Sequence, residues 1–129
     1  METIIDTLKS IPDYIGSNGR AEENIWEAES FLGVSFAADY RQYLKMIGLA
    51  SFDGHELTGL TNISRLDVVT VTKEQRAINT NIPESWYVVE ETNIDGIIIW
   101  QNELGHMYQT SPSGIPQKIA HSLLEYIRL

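Results

Sequence analysis

Residues 21–48 constrain this chain more than any other stretch: two short helical patterns stand in tandem, each closed by a glycine. The first, AEENIWEAESFLG, sets Ile25, Ala28 and Leu32 on one stripe and leaves Glu22, Glu23, Glu27 and Ser30 largely off it. The second, SFAADYRQYLKMIG, brings Tyr40, Tyr43, Leu44 and Ile47 onto one helical face. Gly33 and Gly48 stand where a left-handed residue ends a helix, and Ser35 is placed to cap the second one. The pattern holds no reactive chemistry. It points to a binding domain rather than an enzyme.

The rest of the chain supplies a sheet. Ile4, Ile5 and Leu8 predict a first helix over residues 2–10, ending before Pro12, and the turn-rich DYIGSNGR reads as a loop. Asp53-Gly54 between Leu49–Phe52 and Glu56–Leu60 predicts a hairpin. Residues 64–78 support two readings: β-branched Val68, Val69 and Val71 favour a strand, whereas Val68, Val71, Gln75 and Ile78 recur at helical spacing behind a capping Ser64 or Asp67. Trp86–Glu90 and His106–Thr110 read as strands. The unbroken apolar run Ile97–Trp100, continued by Gln101, predicts a central strand covered on both faces. SPSGIP is a loop, and residues 119–128 predict a closing helix with Ile119, Leu123, Tyr126 and Ile127 inward. The expectation is one α+β domain over residues 1–129, with a mainly antiparallel sheet of about five strands and helices packed on it.

Charge narrows the function. The net charge of −9 is unevenly spread: residues 1–40 carry eight acids against Lys9 and Arg20, and residues 77–117 carry five acids and no base. Such a chain is repelled by a phosphate backbone, so direct nucleic-acid binding is not expected. The acids either steer it towards a basic partner or simply keep the domain soluble. There is no cysteine for a disulfide, a thiolate nucleophile or a metal site. The acidic start METIIDTLKS lacks a signal-peptide pattern, and no apolar run approaches the ~20 residues of a membrane helix, so a cytoplasmic protein is expected.

A search for reactive constellations finds little. His55, His106 and His121 have no ligand partner at i+2 or i+4, so no metal site is expected, and no cofactor. GSNGR lacks the lysine and spacing of a phosphate loop, and no serine sits in a G-x-S-x-G elbow. The pairs Glu22/Glu23 and Glu90/Glu91 are sequence neighbours whose side chains point apart, which argues against a proton-sharing dyad. Trp100 reads as core, while Trp26, set among Glu22, Glu23 and Glu27, reads equally as an exposed anchor or as a partly buried side chain.

The string Ile25-x3-Glu29-x3-Gly33, followed by Ala38-Asp39-Tyr40-x3-Leu44-x3-Gly48, resembles the N-terminal signature of the SUKH superfamily. These are small α+β domains typified by a yeast cell-wall synthesis regulator and by many bacterial immunity proteins. Leu57-x-Gly59-Leu60, Asp67-Val68-Val69, Ile82-Pro83, Trp86–Val89, Gly96, Tyr108 and Ser122-x2-Glu125-Tyr126-Ile127 are similar to its later segments. The resemblance selects helix for residues 64–78. It differs at Phe36-Ala37, where the family has Leu-Pro, and at Ile47, where the family has Asn.

Carried over position by position, the resemblance implies that Glu29, Gly33, Asp39, Tyr40, Leu44 and Gly48 define the fold, with Tyr40 and Leu44 packed on the sheet. It implies no active site. It implies a cytoplasmic antidote that binds one cognate polymorphic toxin, most often a nuclease, and blocks it. An RNase is favoured over a DNase as the toxin, and the oligomeric state stays open, with a monomer favoured. Together with the charge distribution, the expected toxin-binding residues are Glu22, Glu23, Trp26 and Glu27 from the first acidic block, and Glu90, Glu91 and Asp95 from the second. The alternative is a non-enzymatic regulatory or scaffold domain. A small hydrolase built on the paired carboxylates is a third reading, and it lacks a constellation to support it.

Overall fold

A computed structural model describes residues 3–112 and 114–129 of the chain. The elements run α1 (Ile4–Lys9), β1 (Ile15–Gly16), α2 (Glu22–Leu32), α3 (Ala38–Met46), β2 (Ala50–Phe52) and β3 (His55–Glu56). A 3-10 turn (Ser64–Leu66) and α4 (Val68–Ile78) follow, then β4 (Tyr87–Glu91), β5 (Ile98–Gln101), β6 (Met107–Thr110), β7 (Gln117–Ala120) and α5 (Leu123–Ile127). The strands form two antiparallel sheets, β1-β2-β3 and β4-β5-β6-β7. The α+β expectation holds, with the strands divided between two sheets rather than gathered into one of about five.

The helices form where local chemistry asks for them. Thr3 and Asp6 close a reciprocal capping box on α1, and the expected start at Glu2 lies outside the described residues. Gly33 ends α2 at φ 67°, a left-handed conformation that glycine adopts without a Cβ penalty. Asp67 caps α4, accepting the Thr70 N–H at 3.1 Å, which settles residues 68–78 as helix. The N-terminus of α3 is different, because Ser35 does not cap it. Its first residue follows Ala37, which offers no side-chain cap. The backbone donors there go to distant groups: Phe36 N–H to the Glu29 carboxylate at 2.8 Å, and Ala37 N–H to the Tyr87 hydroxyl at 2.9 Å.

Two strands depart from the sequence reading. Ile15–Gly16 pairs with Ser51 and Ala50 where a loop is expected. Gln117–Ala120 is β7, paired with β6, where the closing helix is expected to begin. The spacing of Ile119, Leu123 and Ile127 imitates one helical stripe. The actual start is marked by Ser122, whose hydroxyl accepts the Glu125 N–H at 3.0 Å.

The main core lies between the helices and one face of the four-stranded sheet, where Leu8, Ile25, Tyr40, Tyr43, Leu44, Tyr87 and Met107 are wholly or almost wholly buried. The opposite face carries a second, smaller core of Val71, Trp86, Val88, Ile98 and Trp100. Strand β5, between β4 and β6, therefore has both faces covered, as its apolar run predicts. Trp86 stacks on Tyr108 at 4.1 Å between ring centroids, and Trp100 donates its indole N–H to Thr110 at 2.9 Å.

The free edge of β4 is closed by tertiary contacts. Thr72 of α4 accepts the Val88 N–H at 3.0 Å, and Thr58 donates its own N–H to the Val89 carbonyl at 2.8 Å, joining the two sheets. A bulge between Val88 and Glu90 interrupts the β4–β5 register. It lets both Val89 and Glu90 face the helical side, where Glu90 meets His55 and Tyr126.

Candidate protein-interaction surface

Helix α2 presents an outer face that its own sequence dictates. Ile25, Ala28, Glu29 and Leu32 point inward, so the remaining positions must face solvent. Glu23, Glu27 and Ser30 form the exposed crest. Trp26, 68% exposed, and Phe31, 63% exposed, flank that crest on opposite sides. Large aromatics left this open are costly to hydrate and are characteristic anchors of protein interfaces.

An open groove runs along each flank. One, about 460 Å³, lies beside Trp26 and is lined by Ser30, Val34 and Arg41. The other, about 480 Å³, lies beside Phe31 and is lined by Glu27, Ala28, Leu60, Asp67 and Val69. The Lys73 ammonium sits 5.3 Å from the Phe31 ring centroid and holds that ring by a cation–π contact.

The charges on the crest are unequal. Glu22 is paired with Arg41 at 2.8 Å and with Lys45 at 3.9 Å, so its charge is largely answered within the fold. Glu23 and Glu27 have no ion-pair partner among the described residues. Arg41 reaches past Glu22 to the buried Glu29, whose hydrogen bond is the main cause of its raised guanidinium pKa. Arg20 and Arg76 spend their donors on backbone carbonyls, Leu60 at 2.7 Å and Leu32 at 3.0 Å respectively. Burial lowers the pKa of Arg76. Two arginines are thus turned inward as backbone clamps, and the acids are left to set the outer field.

The second acidic block does not extend this surface. Glu90 is buried at 3% exposure, accepting the Tyr126 hydroxyl, the Glu56 N–H at 3.3 Å and a His55 Nδ1 contact at 3.0 Å. This corrects its expected place at a contact face: a carboxylate so enclosed serves the fold. Glu91 points the other way and accepts from Gln75 of α4 at 2.8 Å. Asp95 is exposed, in the tight turn between β4 and β5 at φ 52°. Helix α4 packs against both α2 and β4 and so lies between the two blocks. Glu90 and Glu91 share no site, which removes the geometric basis for a paired-carboxylate hydrolase.

The fold-signature residues act through buried polar links. Asp39 accepts Gln101 Nε2 at 3.0 Å and the Leu123 N–H at 2.8 Å, tying α3 to β5 and to the start of α5. Tyr40 shares a 2.9 Å hydrogen bond with Thr58, and Tyr43 donates to the Thr58 carbonyl at 2.9 Å. Leu44 is fully buried, and Gly48 turns the chain at φ 79° beside the Arg20 guanidinium.

The family model SUKH_5, described as SMI1-KNR4 cell-wall, matches residues 1–128. The chain belongs to the SUKH superfamily. No curated protein matches it. Among the described residues, no helix is long and apolar enough to cross a membrane.

Proposed function

We propose that this SUKH domain is an immunity protein that acts in the cytoplasm, binding a cognate polymorphic toxin stoichiometrically and blocking it without catalysis. The observation that carries this reading is the outer face of α2, where exposed Trp26 and Phe31 flank the carboxylates of Glu23 and Glu27, which have no ion-pair partner among the described residues. The partner of matching chemistry is a nuclease domain, an RNase first, because its substrate groove must be basic. Acids without internal partners speed encounter with such a groove, and a desolvated tryptophan then holds the complex. Glu22 contributes less, being shared with Arg41 and Lys45. Glu91 and Asp95 form at most a separate, peripheral contact.

The test is co-expression with the adjacent open reading frame. Growth should be rescued by the wild-type chain, and W26A should weaken the isolated complex by about 2 kcal/mol or more, the usual loss at an interfacial tryptophan. Failure of rescue, with no complex formed, refutes the reading. The description of the matched family as cell-wall favours a second reading, a non-enzymatic regulatory or scaffold domain, which would bind host proteins and leave toxicity unchanged.

A further inference from the structure

His106 and His121 are remote in sequence and show no motif, yet the sheet makes them neighbours. Met107 of β6 pairs with Ala120 of β7 in an antiparallel register. One step outward on each strand sets His106 opposite His121, at the spacing where cross-strand side chains interact. Their rings lie 6.0 Å apart between centroids with planes at 80°. We propose that these two imidazoles form a binding site for a late first-row divalent cation of the Cu2+, Ni2+ or Zn2+ kind.

Three observations support the site. The first is distance. A metal about 2.0–2.1 Å from a ring nitrogen lies roughly 3 Å from that ring's centre, so two rings gripping one ion at a tetrahedral or square-planar angle have centres about 4.5–5 Å apart. The observed 6.0 Å must therefore close by about 1 Å, and the ring to move is His121, which is exposed. The second is availability. Among the described residues neither ring enters a hydrogen bond or an ion pair, in contrast to His55, whose Nδ1 is held by Glu90.

The third is rigidity. Asn102 fixes His106 from both sides: its Oδ1 accepts the His106 N–H at 3.0 Å and its N–H donates to the His106 carbonyl at 3.0 Å. His121 stands between β7 and the Leu123 N–H that Asp39 anchors at 2.8 Å. The ligand set is therefore held by two backbones that do not need to order on binding. No group of three or more potential ligands forms among the described residues, so water completes the coordination. Two neutral imidazoles select borderline cations over Mg2+ or Ca2+, with Cu2+ bound most tightly in the usual order.

The experiment titrates the untagged full chain with NiCl2, and separately with CuCl2, at pH 7.5, followed by calorimetry and by histidine ring NMR signals. One equivalent should bind, with the paramagnetic ion broadening the His106 and His121 signals far more than those of His55. H106Q and H121Q should each weaken binding ten-fold or more with unchanged circular dichroism, and H55Q should not. Absence of saturable binding overturns the proposal, as does an H55Q loss equal to that of H106Q.

Discussion

Removing the Asp39 carboxylate should loosen three elements at once. It is the middle of a buried relay: the Leu123 N–H and Gln101 Nε2 both donate to Asp39, Tyr87 donates to Gln101 Oε1, and the Ala37 N–H donates to Tyr87. In D39A the fully buried Gln101 keeps only the Gly105 carbonyl, at 3.1 Å, for its amide donors. The first N–H of α5 loses its acceptor as well. Hydrogen bonds to a charged acceptor are worth about 1.5–3 kcal/mol each. Asp39 itself is half-exposed and water can enter its place, so the low end applies and the total is about 3 kcal/mol. For a chain of this size that lowers Tm by roughly 12 °C.

Urea unfolding followed by tryptophan fluorescence reads the loss as a shifted midpoint at unchanged slope. Amide exchange at Leu123 should accelerate in parallel. In a D39A/Q101L cycle, the paired loss should fall short of the sum of the singles, because both mutations break one relay. A D39A loss below about 0.5 kcal/mol, or strict additivity, would refute the relay as a source of stability.

The other expectations concern pH, backbone and charge. Burial raises the phenol pKa values of Tyr40, Tyr43, Tyr87 and Tyr126, with Glu90 adding to the shift at Tyr126. The folded chain therefore keeps protons that the unfolded chain releases near pH 10, so this stability is intact below that pH and lost above it. The slope should approach about 1.4 kcal/mol per pH unit for each such tyrosine, and Y126F should reduce it; equal urea midpoints at pH 9 and 11 would contradict this. G48A, with a Cβ 2.6 Å from the Arg20 guanidinium and the Asn18 carbonyl, should cost about 2 kcal/mol or more. G54A, at nearly the same φ with open space around it, should cost about 1 kcal/mol, so equal losses would show that crowding is irrelevant. E23K and E27K should slow association with a basic toxin more at low salt than at high salt; a salt-independent effect would exclude steering.

Much of this architecture was legible from local chemistry. The apolar stripes of α2 and α3, Gly33 at the end of α2, the Asp53-Gly54 hairpin and the doubly covered β5 all follow from side-chain period and glycine's tolerance of positive φ. Buried Trp100 was legible too, because it ends an apolar strand, whereas the acids around Trp26 left its exposure open until the packing of α2 decided it. The short strands were not. β1 has two residues, and β7 borrows helical spacing from the segment that follows it, so pairing with β2 and β6 alone makes them strands.

The same limit applies to the buried polar groups. Glu90 reads as a surface acid beside Glu91 until a bulge and the arrival of His55 and Tyr126 enclose it. Ser35 reads as the cap of α3, yet the backbone donors there go to Glu29 and Tyr87 from elsewhere in the fold. The histidine pair exists only through the register of β6 on β7. Period and propensity are properties of neighbours along the chain, whereas burial of a charge, satisfaction of a helix end and the meeting of two ligands depend on residues that folding brings from far away.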